Sequence, residues 1–485
     1  MQIKCDKKVN FTPIQFYENK ELLLEGAEKI ISLQALARTT SVETLSGEVR
    51  ANYMLTIRVL YVDQDGMVEK REENYELTST LRGGITANSY ALVNTSVIGV
   101  EYQGVQNVKV RVMLEQKGFY IQNNTFEPCL VEGNSYKKKS TIVRCACPLR
   151  SAEFIIERVE KNTAPIGNVL CSDATIMVKK VSTATDICEI EGVVSAYYQH
   201  LSEGELRGEK ITFPFNYELL AEGVKEGDDV RVLITPVSTT LTITELDNGS
   251  EIGIQILAEI KGLVTKISEQ EYAIDAYSKE YELSLGMGEI ELEGEGCSLK
   301  SVERLSASLP LEEINDAVEI VSVGMPWVGA TNVTAKPDLM VEGVVCSEVV
   351  IKRENGDYHR VLAEIPYSFK LDEDVACSSD LEGAIEIVDL TARIRFGTTL
   401  EIAGEVVVNV TGSSENVISY LDKAEPNGER IKNDAVISVY LVGEGETLFD
   451  CAKALQSDEE ELLALNPELD LPLKAGDKVL LYRPL

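Results

Sequence analysis

Histidine is nearly absent from this chain: His200 and His359 are the only two in 485 residues. Each is expected as a solvated surface side chain. His200 stands ahead of Ser202-Glu-Gly204, His359 stands just past Asn355-Gly356, and neither has a nucleophile beside it, so imidazole catalysis has little to draw on. Phosphate-cradling loops are missing too. No G-x-x-x-x-G-K-[ST] occurs, and Gly286-Met-Gly288-Glu-Ile-Glu291 lacks the third glycine and the following helix of a dinucleotide fingerprint. Positive charge is scarce. With 46 Lys and Arg against 80 Asp and Glu, the net charge of −34 argues against nucleic acid or an anionic membrane as main partner. The one basic triplet, Lys137-Lys138-Lys139, reads as a solvated loop. No apolar run reaches the length of a membrane-spanning helix, and the charges of Met1 to Lys8 have no apolar stretch behind them, so no export signal is expected.

The 10 cysteines are scattered, and only Cys145-Ala-Cys147 is close-spaced. A zinc site would need two more Cys or His at ligand spacing, which the sequence does not offer. No metal, no cofactor and no catalytic residues are expected, and the thiols read as reduced, as in a cytoplasmic protein. Asp63-Gln-Asp65-Gly66 has the look of a calcium loop but lacks its closing Glu and flanking helices; a hairpin turn explains it.

What the chain does have is strands. Asn52 to Val62, Ala174 to Val181, Ile252 to Ile260, Ala384 to Phe396 and Glu401 to Val410 are rich in Val, Ile and Thr, bounded by turn pairs such as Asp65-Gly66, Asn248-Gly249 and Asn355-Gly356. Helical periodicity is limited to Ser151 to Lys161 and Leu309 to Ala317 before the C-terminus. A repeat is visible in Leu45-Ser-Gly47-Glu-Val49, Ile190-Glu-Gly192-Val-Val194 and Val341-Glu-Gly343-Val-Val345, each followed by a hairpin glycine at Gly66, Gly204 or Gly356. An apolar stretch then holds Tyr75, Phe213-Pro214-Phe215 or Ile365-Pro366-Tyr367, the prolines marking edge strands. The expected fold class is mainly β, with tandem sandwich-like repeats divided as 1–155, 156–300 and 301–425.

The last fifty residues carry the most specific signal. A strand ends at Val442, and Thr447 with Asp450 forms a capping box. A second box, Ser457-Asp-Glu-Glu460, opens an amphipathic run with Leu462, Leu463 and Leu465 inward; Asn466-Pro467 stops it, and Gly476 turns the chain into a closing strand. The reading is a small strand, helix, helix, strand domain over 436–485, joined to the rest through Glu425-Pro426-Asn427-Gly428-Glu429 and able to move against it. It carries ten acids against Lys453, Lys474, Lys478 and Arg483, a net of minus six.

This order of residues resembles the LysM module, with Glu446 for the usual Asp, Phe449 for Trp and Leu455 where Tyr is common. The resemblance implies a groove for N-acetylglucosamine polymers between two loops, one holding Gly445, Glu446, Thr447, Leu448 and Phe449, the other Asn466, Pro467 and Leu469. The same residues also serve as caps and turn formers. The acidic charge and the departures at Glu446 and Phe449 favour a protein ligand, with Phe449 and Leu469 as exposed contacts and Glu459 and Glu461 as a steering rim. Together with the three β repeats, the chain is similar to the SPOCS-domain spore coat morphogenetic proteins, and Tyr272 to Tyr281 resembles a segment that follows SPOCS repeats. That family implies a non-enzymatic scaffold in the mother-cell cytoplasm, tethering the coat's basement layer to the forespore surface through the coat ATPase SpoIVA and other coat proteins. The alternative is a peptidoglycan-binding or chitooligosaccharide-binding wall anchor.

Overall fold

Along Glu48–Asp63 every second residue from Val49 through Ala51, Tyr53, Leu55 and Ile57 to Val59 is apolar and buried, because strand side chains alternate faces and the apolar face needs a cover. The computed structural model describes residues 2–87, 89–162, 166–246, 249–311, 314–335, 338–371, 381–431 and 435–483, and it is mainly β. Its strands form three sheet units in succession.

The first unit holds β1 (Ile3–Asn10), β2 (Ile14–Leu23), β3 (Ala27–Leu45), β4 (Glu48–Asp63), β5 (Val68–Arg82), β6 (Ala91–Gln103) and β7 (Asn107–Phe126). Sheet β3-β4-β5 packs over the sheet in which β7 pairs with β1, β2 and β6, and Leu33, Tyr53, Leu55, Val110 and Leu114 meet between them. The second unit repeats the plan with β8 (Ser135–Pro148), β9 (Ala152–Asn162), β10 (Val169–Ala184), β11 (Ile187–Ser202), β12 (Glu205–Leu220), β13 (Asp229–Leu246) and β14 (Gly249–Tyr277). In the third, β15 (Tyr281–Pro310) runs through what were two strands before. Its first half pairs with the end of β21 (Thr399–Glu429), as β1 pairs with the end of β7 and β8 with the end of β14. The unit is completed by β16 (Ala317–Val323), β17 (Trp327–Thr334), β18 (Leu339–Arg353), β19 (Tyr358–Leu371) and β20 (Glu382–Arg395).

This pairing corrects the sequence-based cuts. The boundaries at 155/156, 300/301 and 425 fall inside β9, β15 and β21, where a division would break continuous ladders. The two short helices expected in the body also give way. Ser151 to Lys161 is covered by strand β9, with Phe154 and Ile156 buried and Glu153, Ile155 and Glu157 facing out. Leu309 to Ala317 joins the end of β15 to the start of β16. The Pro214 and Pro366 expectation holds, since β12 and β19 each pair on one side only.

Strand register also re-aligns the first repeat. Gly192 lies opposite Phe215 and Gly343 opposite Tyr367. A Cβ on Gly192 would come within 2.3 Å of the Phe215 ring, so the glycine makes room for the aromatic. Counted back from the hairpin ends Val62↔Val68 and Lys352↔Tyr358, the first-unit counterpart of Gly343 is Tyr53, opposite Leu77. The bulk has changed strands. Gly47 is therefore no counterpart of Gly192; it sits in the β3–β4 hairpin at φ +82, where a side chain would be strained.

The three units close into a ring. Each central strand ends in a run buried on both faces, Ile57 to Leu60, Val194 to His200 and Val345 to Ile351, because its outer face meets the next unit. Arg58 reaches Asp173 of the second unit, Gln199 reaches Ser322 of the third at 2.9 Å, and Glu348 accepts from Ser32 and from the Leu33 amide of the first. Ser32, Cys171 and Ser322 hold matching places, opposite Leu60, Gln199 and Val350. Ile31, Leu170 and Val321 fill the apolar centre of the ring there. On the other side of the ring the two-stranded ribbons converge on Phe126, whose ring meets Tyr272 edge-on and Tyr420 at a tilt.

His200 sits in one of these doubly buried runs and is 1% exposed, not solvated as expected. Its Nε2 lies 3.6 Å from Glu209, whose carboxylate accepts hydrogen bonds from Tyr198 and Asn162. The Glu209 pKa is lowered, chiefly by His200.

Candidate functional site

The C-terminal residues form a small domain of β22 (Ile437–Leu441), α1 (Leu448–Leu455), α2 (Glu459–Leu465) and β23 (Lys478–Tyr482), the expected order. The strands pair antiparallel, with Val439 opposite Leu480. The Thr447 amide donates to the Asp450 carboxylate at 2.8 Å, so Asp450 is the reciprocal acid of the first cap. The second box does not form: Asp458, not Ser457, is the N-cap of α2 and makes no side-chain cap bond, and the Ser457 hydroxyl donates to Glu461 instead. Leu462 is fully buried, Leu463 is partly so, and Leu465 is exposed, contrary to expectation, because a helix this short turns only a narrow stripe inward.

The predicted groove residues come together, but most are already engaged. Gly445 takes φ +76 in the β22–α1 loop. Glu446 accepts from the Gly443 amide at 2.7 Å and from the Tyr440 hydroxyl at 2.9 Å, which raises the Tyr440 pKa. Asn466 is buried and fully occupied, donating to the Leu462 and Leu480 carbonyls and accepting from the Leu480 amide at 2.8 Å. It ties α2 to β23. Leu448 is buried and Leu469 half-buried, while Thr447, Pro467, Glu459 and Glu461 face solvent. Phe449 is 3% exposed, so the exposed contact foreseen there is corrected. Its ring packs edge-to-face on Tyr277 of the second sheet unit at 5.1 Å.

That contact belongs to a docking site. Lys137 pairs with Asp450 at 2.8 Å, Lys453 with Asp275 at 2.7 Å and Lys279 with Asp458. The Tyr277 hydroxyl donates to the Ser457 carbonyl at 2.6 Å, and Arg430 donates to the Lys453 and Ser278 carbonyls. Burial alone would raise the Asp450 carboxyl, but the bonds from Lys137 and Thr447 outweigh it and hold the pKa below the usual range. The domain is thus seated on the β8–β14 ribbon, not set apart by a free linker, and 425–429 is the end of β21, paired with β15. Lys137 to Lys139 lie in strand β8 rather than in a loop: Lys137 reaches this seat, while Lys138, paired with Glu271, and Lys139 are solvent-exposed as expected.

Among the described residues no group of three or more His, Cys, Asp or Glu is arranged to hold a metal ion. Cys377 lies outside those residues. Gly288 of the would-be fingerprint is a strand residue beneath the Tyr420 ring. Among the described residues no helix is long and apolar enough to cross a membrane. One feature went unread in the sequence: Ile437, Val439, Leu441, Leu480 and Tyr482 are all exposed. Their alternation with Ser438, Tyr440, Val479 and Leu481 was the available signal. No protein-family model and no curated protein matches this chain.

Proposed function

We propose that the chain is a non-enzymatic adaptor of spore coat assembly, built of SPOCS-type sheet units and a LysM-type C-terminal domain. In this reading it works in the mother-cell cytoplasm at the forespore surface, and its C-terminal domain docks the coat ATPase SpoIVA while the ring presents surfaces to other coat proteins. One observation carries it: the polar groups a sugar would need, on Glu446 and Asn466, are spent on internal hydrogen bonds, and Phe449 is covered by Tyr277. A buried polar group already satisfied gives a ligand little to gain. The charge on the domain points the same way, since an anionic wall polymer would be repelled and a cationic protein attracted.

The full-length chain distinguishes the two ligands directly. Capture of purified coat ATPase at micromolar concentration, without sedimentation on insoluble peptidoglycan, is the expected outcome. Sedimentation with peptidoglycan and indifference to the ATPase would make the chain a wall anchor instead, acting through Thr447, Pro467 and Leu469.

A further inference from the structure

The C-terminal domain does not complete its own core. Among the described residues its buried cluster takes one side chain from outside, Tyr277 at the end of β14, which is 2% exposed. Alternate residues of an extended segment point the same way, and here Asp275, Tyr277 and Lys279 all reach the domain. Asp275 pairs with Lys453 at 2.7 Å, Tyr277 packs on Phe449 and donates to the Ser457 carbonyl, and Lys279 pairs with Asp458. An acid, a tyrosine and a lysine, each two residues apart, thus meet a cation, an aromatic socket and an acid on α1 and at the start of α2. Lys137 of β8 adds a further pair with Asp450. These ion pairs keep between a quarter and a half of their side-chain surface in water, so exchanging one partner for an equivalent one costs little.

We propose that this face of α1 and α2 is a recognition site for an extended partner segment of the pattern acid-x-Tyr-x-Lys, with residues 275–279 as the built-in occupant that a partner displaces. The inference rests on the adaptor reading and names the face through which the C-terminal domain docks. A tethered occupant acts at an effective concentration in the millimolar range, so the seat sets a threshold that only a well-matched segment crosses.

The test uses the full chain and a twelve-residue peptide carrying Asp-Ala-Tyr-Ser-Lys between glycine and serine flanks, with a control in which Asp, Tyr and Lys are alanine. The double variant Tyr277→Ala, Lys279→Ala, which empties the socket, should bind the peptide more than about tenfold tighter than the parent does, and leave the control unbound. Loss of Tyr277 can also disturb the β8–β14 ribbon. A second variant, Lys137→Ala with Lys279→Ala, keeps that packing and weakens only the half-exposed pairs, for an expected gain of about threefold. If this second variant melts as the parent does and binds the peptide no better than the control, the proposal is overturned. Capture of the coat ATPase separates the two readings. Both variants should capture it more tightly than the parent, with the peptide competing. Equal capture by parent and variants, unmoved by the peptide, refutes this face and leaves the adaptor reading intact. No capture by any of them refutes the adaptor reading, while the peptide titration still decides the face.

Discussion

The contacts that close the ring and the contacts that seat the C-terminal domain both employ charged groups, in opposite settings. In the ring, Glu348 is 1% exposed and accepts from Ser32, the Leu33 amide and Arg360 together. Under the C-terminal domain, Lys137–Asp450, Lys453–Asp275 and Lys279–Asp458 keep between a quarter and a half of their side-chain surface in water. A buried charge with every lone pair answered is costly to disturb, because removing one partner strands the rest. A half-exposed pair contributes about 0–1 kcal/mol and is screened by salt. The ring should therefore behave as one cooperative body, and the domain as an attachment that can be loosened by degrees.

The sharpest break of this comparison is Glu348→Ala. It leaves Arg360 and the Leu33 amide buried without their acceptor, for a destabilisation of about 3–5 kcal/mol in urea unfolding. Lys137→Ala should shift the same curve by under about 1 kcal/mol. If both variants unfold alike, burial is not what separates the two kinds of contact.

A middle-sized effect tests the equivalence of the units. Gly192→Ala drives a methyl into the Phe215 ring and towards the Met177 carbonyl, with Cβ distances of 2.3 and 2.5 Å, and overpacking of this sort costs about 1–3 kcal/mol. The first unit, with Tyr53 opposite Leu77, shows the remedy. Adding Phe215→Leu to Gly192→Ala should recover part of the loss, although Phe215→Leu alone destabilises. Strict additivity in that double-mutant cycle would mean that the two residues are not coupled through shared volume.

Much of this fold can be read from the chain. Alternating Val and Ile with hairpin glycines marks the sheets, and the caps and the Asn466-Pro467 stop mark the small domain. The unit boundaries could not be read, because β8 lies far from β14 in sequence and only their pairing shows that they belong together. The ring was hidden for a related reason. Arg58, Gln199 and Glu348 look like ordinary outward residues of half-buried strands, yet the outer face is covered by the next unit, and composition says nothing of that cover. Glu446 and Asn466 carried the right local signal, while their commitment to internal bonds depends on side-chain direction.

The smallest expected effect concerns the seat of the C-terminal domain, read by hydrogen exchange over α1 and over residues 272–279 in the full chain. Tyr277→Phe removes the donor to the Ser457 carbonyl but keeps the ring against Phe449, so protection should fall by about 1 kcal/mol in opening free energy. Raising salt should lower it further, because the three ion pairs are open to solvent. Acid acts through Asp450, whose pKa is depressed when seated, so its contribution is complete above the ordinary aspartate value of about 3.9 and is lost as pH falls through the lower seated value. Protection of β4, β11 and β18 should not change with salt. If α1 keeps its full protection in high salt and below pH 4, the seat is held by the Tyr277–Phe449 packing, and the ion pairs only orient it.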